Sequence, residues 1–217
     1  LAKVVADSER QLRVFRKMLR FTAFVSFPAL FGLSLVAPEL ICIVITDKWI
    51  ESADMLRILA VWGAFMPVQS LLTNLLISCG RSRIFMWCTI VQGMLMLAIL
   101  LMVYPYGIPC MLMSYCVFNA CWLFVWRYFA SKEIAVTLVM FLLDVVPYML
   151  LAAATMFASY FLTVGIEDRL ILLLSRIAVA ALLYVSASAI MRSKELYEII
   201  DFLFKRKKAS DEKDSLR

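Results

Sequence analysis

The sequence predicts an all-α membrane protein, a polytopic bundle of about six transmembrane helices. Three observations lead there. Hydrophobic residues make up 64% of the 217 and charged residues 18%, against roughly half and a quarter in soluble globular chains. The apolar residues gather into long unbroken runs. Basic residues recur in alternate connections between those runs. A chain of this composition cannot hide its apolar surface in one water-facing core. That excludes an ordinary soluble enzyme, a disordered regulator and a disulfide-rich secreted module.

A bilayer core of about 30 Å takes about 20 helical residues to cross. Six runs are long enough: 21–45, 56–78, 84–104, 108–127, 138–164 and 170–191. Spanning strands would need alternating apolar and polar positions in a closed barrel. These runs are continuously apolar, so they are read as helices. The connections at 46–55, 79–83, 105–107, 128–137 and 165–169 are too short to hold a soluble domain.

Orientation follows from the basic residues. Eighteen of them fall on one side: six between Lys3 and Arg20, then Arg81, Arg83, Arg127 and Lys132, and eight from Arg192 onward. The other side has Lys48 and Arg169, with Arg57 at a helix start. The positive-inside rule then places both termini in the cytoplasm. Aromatic residues agree: Trp49, Tyr104, Tyr106 and Tyr160 fall at the outer boundary, and Trp87, Trp126, Tyr128 and Tyr148 at the inner one. Three regions result. Residues 1–20 are a basic amphipathic cytoplasmic lead-in helix, with Leu12, Phe15, Met18 and Leu19 at helical spacing, residues 21–191 are the six-helix transmembrane domain, and 192–217 are a basic cytoplasmic tail. The chain begins with Leu1 and has no signal-peptide layout, so it is expected to be the C-terminal part of a longer protein.

The net charge of +6 does not point to nucleic acid, because the charges sit between the spans. The chain has no histidine, the commonest general base and zinc ligand. None of its six cysteines forms a CxxC pair, and they are read as small apolar packing residues. There is no Gly-rich phosphate loop, no HExxH and no nucleophile beside a base. No metal, cofactor or catalytic residue is therefore expected, and the chain is not read as an enzyme.

The polar residues inside the spans are the candidate site. Pro28 and Pro38 in the first run and Pro67 in the second are expected to kink their helices. Glu39 lies near the outer end of the first run. It carries a coupling proton or pairs with Arg57, or, as the preferred reading, it rests in headgroup water. Arg176 lies ~9 Å inside the outer boundary and either binds an anion or snorkels outward. Asp144 is read as a helix-start or interfacial residue. In the second run Ser70, Asn74 and Ser78 recur every four residues and form one stripe, while Gln92 and Asn119 add polar groups to the third and fourth runs. Such groups line a hydrated cavity or join neighbouring helices. Ala154 and Ala158 are read as a close-packing pair.

Four stretches carry a family resemblance: ADSERQLRVFRKMLRFTAFVSFPALFGLSLVAPELICIVITDKW (6–49), ADMLRILAVWGAFMPVQSLLTNLLISCGRSR (53–83), DVVPYML (144–150) and GIEDRLILLLSRIAVAALLYV (165–185). In order and spacing they resemble the C-terminal half of Wzx-type polysaccharide and lipopolysaccharide flippases of the multidrug/oligosaccharidyl-lipid/polysaccharide superfamily. The resemblance implies a multidrug-exporter-like C-terminal lobe in a bacterial inner membrane. It implies alternating access that moves an undecaprenyl-pyrophosphate-linked oligosaccharide outward for surface polysaccharide or lipopolysaccharide synthesis. Its partners would be membrane lipids, the lipid-linked oligosaccharide, the absent first lobe, and polysaccharide polymerase and export machinery. Arg20, Arg57 and Arg176 would be cationic groups for the pyrophosphate, Asn74 and Gln92 polar contacts, and Glu39 the ion-coupling group. The alternatives are a multidrug-type exporter of the same superfamily, a membrane-embedded polymerase or acyltransferase, and a non-catalytic scaffold. Outer loops of about ten residues or fewer count against a polymerase.

Overall fold

The computed structural model describes residues 2–166 and 168–190. The tail placed at 192–217 lies outside the described residues. The described residues form seven α-helices and no strand: α1 (Ala2–Val44), α2 (Ile50–Gly63), α3 (Met66–Ser78), α4 (Ser82–Val103), α5 (Ile108–Glu133), α6 (Leu138–Thr163) and α7 (Arg169–Ile190). Among them are six segments long and apolar enough to cross a membrane, with α2 and α3 making up one. The chain is a multi-pass helical membrane protein.

Local chemistry explains most of the breaks. Gly80 and Gly107 have φ of 75° and 89°, where a side chain would be strained, and they mark the turns before α4 and α5. Pro109 sits in the first turn of α5, where its missing N–H has no helical partner to lose. Thr137 caps α6, its hydroxyl oxygen accepting from the Met140 amide at 3.3 Å. Asp168 caps α7, accepting from the Leu170 and Ile171 amides at 2.9 and 3.1 Å. The helices also reach beyond the runs drawn from the sequence. α2 begins inside the connection drawn at 46–55, and α5 continues to Glu133, inside the one drawn at 128–137.

The lead-in helix expected at residues 1–20 continues into the first span across the boundary drawn at residue 20. α1 runs straight through it for 43 residues, about 65 Å of helix against a hydrocarbon layer of about 30 Å. The lead-in stays helical because it packs: Phe15 and Leu19 are buried in the same core as Phe24 and Phe27. α1 is the hub of the lobe, packing on α6, α2, α7 and α3. α4 lies at the periphery against α5 and α3 and buries no residue of its own.

The three expected kinks turn out differently. Pro67 falls in the first turn of α3, directly after the break at Ala64 and Phe65 that divides the second span. α1 remains helical through Pro28 and Pro38. A proline frees the carbonyl four residues before it, and for Pro28 that carbonyl is Phe24. The Tyr184 hydroxyl donates to it at 2.8 Å. Tyr184→Phe should therefore cost about 1–2 kcal/mol in detergent thermal unfolding, because a buried carbonyl loses its donor. Pro28→Ala in the same background should recover part of the loss by restoring the helical N–H.

Candidate functional site

Two ion clusters tie α1 to its neighbours, one near each end of the lobe. Near the N-terminal end, Arg16 forks onto Asp144 of α6, Nε to Oδ2 at 2.7 Å and Nη2 to Oδ1 at 3.0 Å. Arg20 Nε lies 3.7 Å from the same carboxylate. Asp144 is 4% exposed and each arginine about a third. Asp144 is thus not at a helix start: it is two turns into α6 and buried beneath two guanidinium groups.

At the far end, Arg176 Nη1 donates to Glu39 Oε1 at 2.5 Å. Arg176 Nε reaches Thr163 Oγ1 at 3.3 Å, and the guanidinium lies over the Tyr160 ring at 5.3 Å. The side chains are 7% and 10% exposed. This corrects two expectations. Glu39 does not rest in headgroup water and does not pair with Arg57, and Arg176 does not snorkel outward. A lone charge in hydrocarbon is so costly that two at one depth pair inside the bundle. Arg57 instead holds Asp54 at 3.2 Å, one turn away on its own helix, and is half exposed. Asp47 and Arg169 form an exposed pair at this end.

From Asp144 to Thr163, α6 rises ~28 Å, close to the ~30 Å of the hydrocarbon layer. The two clusters thus lie about one hydrocarbon thickness apart along α6. Their charges are spent on each other, so Arg176 and Glu39 work first as an interhelix tie, as do Arg16, Arg20 and Asp144.

Gln92 and Asn119 also meet each other, Gln92 Nε2 donating to Asn119 Oδ1 at 2.9 Å. Asn119 Nδ2 donates to the Tyr115 carbonyl at 2.8 Å. They join α4 to α5, so Gln92 lies in a helix contact and not on a cavity wall.

The Ser70–Asn74–Ser78 stripe behaves differently. α3 buries Val68, Leu72 and Leu76 against the lobe, and the polar stripe lies on the opposite side, exposed. It flanks a cavity of about 680 Å³ whose lining includes Asn74 and Ser78 of α3 and Arg10, Gln11 and Met18 of α1. Ser78 Oγ donates to the Leu75 carbonyl at 2.8 Å, so it is satisfied within its helix. Asn74 is not: its Nδ2 reaches Ser70 Oγ at 3.4 Å, and its carbonyl oxygen takes no donor among the described residues. Ser70 and Asn74 lie ~12 and ~6 Å in from the end of α3. An open amide is satisfied by water or a polar partner and not by lipid. Arg10 and Gln11 on this wall had no sequence signal beyond helical spacing in the lead-in.

Residues 1–54 match the model of a family described as "Polysaccharide biosynthesis protein". The match takes in α1, the cavity's basic wall and the turn into α2. An 84-residue stretch is also 30% identical to an uncharacterized membrane protein in the cps region of Klebsiella pneumoniae. That stretch covers 39% of this chain and 17% of the relative's length. No solved structure matches. Membrane helices together with this similarity make the chain akin to polysaccharide biosynthesis membrane proteins.

Proposed function

We propose that this chain is one lobe of a carrier that moves a lipid-linked oligosaccharide across the bacterial inner membrane, with both termini in the cytoplasm and no catalytic role. The observation that carries the reading is the outward-facing polar stripe of α3 beside Arg10 and Gln11. A helix that buries leucine inward and shows an unsatisfied amide outward is built to border a hydrated space. Pyrophosphate and sugars cannot cross hydrocarbon unaided, and a hydrogen-bonding wall beside Arg10 offers them a place to enter at the cytoplasmic face. The break between α2 and α3 at Pro67 gives the second span the divided form common around transporter cavities. A second lobe, not this chain, would supply the opposite wall. The similarity to polysaccharide biosynthesis proteins supports the glycan as cargo over a drug.

The test is Ser70→Ala, Asn74→Leu and Ser78→Ala combined in the complete protein. Translocation of a fluorescent undecaprenyl-linked oligosaccharide in proteoliposomes should fall about ten-fold, the effect of losing ~1.4 kcal/mol of polar contact. Unfolding temperature should stay within a few degrees, since none of the three contributes to the core. Normal translocation by the triple variant would sink the reading.

A further inference from the structure

The basic residues of α1 are sorted by face. Arg10, Arg13, Arg16, Lys17 and Arg20 fall within an arc of ~120° at 3.6 residues per turn. Phe15 and Leu19, on the other side, are buried in the core. An isolated amphipathic helix lies on a bilayer by its apolar face. Here the lobe takes that face, so the basic arc is held outward. The edges of the arc have neighbours: Arg16 and Arg20 share Asp144, and Arg10 lines the α3 cavity. Arg13 and Lys17 lie between them, exposed. From residue 9 to residue 20 the helix carries one acid, Glu9, so positive charge is in excess.

Depth follows from one row of side chains. Arg13, Lys17, Phe21 and Val25 stand four residues apart, neighbours along one side of the helix, and all four are exposed. Phe21 and Val25, 44% and 47% exposed, suit hydrocarbon, whereas an exposed arginine or lysine there is costly. The row therefore crosses the edge of the hydrocarbon between Lys17 and Phe21, ~6 Å apart along the axis. Beyond that edge the polar layer of a bilayer is ~5–7 Å deep. Lys17 and then Arg13, another ~6 Å out, stand where the lipid phosphates lie.

We propose that Arg13 and Lys17, with Arg16 and Arg20 beside them, form a binding surface for the headgroups of anionic phospholipids. Basic clusters next to a membrane span attract such lipids by charge, and here the buried side of α1 fixes the cluster at phosphate depth. The inference does not depend on the carrier reading, because the lipid would be bound whether or not anything is transported. Its effect is to hold the N-terminal half of α1 at a set height and to gather anionic lipid beside the α3 cavity.

The experiment uses the full chain in vesicles of phosphatidylethanolamine and phosphatidylglycerol. A trace of one lipid or the other carries a diazirine on its headgroup, and adducts are mapped by mass spectrometry after illumination. Residues 10–17 should be labelled by the phosphatidylglycerol probe several-fold more than by the phosphatidylethanolamine probe. Salt at about 1 M, where the Debye length is ~3 Å, should remove most of that preference. Arg13→Gln with Lys17→Gln should lower phosphatidylglycerol labelling of this segment about ten-fold, with labelling of the 46–57 connection and the unfolding temperature unchanged. The comparison of the two probes on the unaltered protein serves if the double variant does not fold. Equal labelling by the two probes, labelling unchanged by the double variant, or crosslinks from residues 10–17 to another protein chain in place of lipid would overturn the proposal.

Discussion

Arg176→Gln is expected to destabilise the protein by about 3–5 kcal/mol, the cost of leaving one member of a buried ion pair alone. Glu39 would lose the donor to its Oε1, and its Oε2 has no partner among the described residues. Glu39→Gln alone strands the guanidinium and should cost less, because Thr163 Oγ1 and the Tyr160 ring remain as contacts. The double variant should be more stable than Arg176→Gln, since two neutral amides can hydrogen-bond in the same place. Thermal unfolding of all four proteins in one detergent gives the coupling directly. Equal loss from Arg176→Gln in the presence and absence of Glu39→Gln would mean the two do not interact, and the tie between α1 and α7 would have to be sought elsewhere.

The second large effect is at Asp144. Two guanidinium groups converge on this one carboxylate, so Asp144→Asn releases both and leaves an excess of positive charge at the α1–α6 contact. The arginines are about a third exposed and can turn toward headgroup water. The expected cost is therefore lower than at Glu39 and Arg176, about 1–3 kcal/mol. It should be local as well. The N-terminal half of α1 is held by this cluster and by Phe15 and Leu19, so trypsin should cut at Arg10 and Arg13 faster in the variant. Cleavage at the wild-type rate would show that apolar packing alone holds the segment. Arg16→Gln should reproduce part of the effect, because Arg20 stays near the carboxylate.

How much of this could be read from residues alone differs from element to element. The span at 84–104 is drawn within two residues of α4, and that at 138–164 within one of α6, because continuous apolar runs bounded by charge or glycine leave little choice of register in a bilayer. The missed boundaries share one cause. Residues 50–55 and 128–133 are polar enough to read as connections, yet they remain helical because a neighbour covers one side of each or because nothing stops the helix.

The candidate site was less legible. Asn74 and Gln92 look alike in sequence, each an amide in an apolar run, yet Gln92 pairs with Asn119 and Asn74 faces outward. Glu39 and Arg176 were each visible as a costly lone charge. What paired them was a contact between residues 137 positions apart. Matching lone charges at equal depth could have suggested it.

Length, hydropathy and charge thus sufficed for the number of crossings and the basic character of one end. Those depend on how a segment meets solvent, a property each segment carries alone. Which face of each helix turns inward is different. These helices are apolar nearly all round, so their own periodicity barely ranks one face over another. Contacts between helices settle it, with α1 for α2, α3, α6 and α7 and with α3 and α5 for α4, and through them the ion ties and the polar wall of α3.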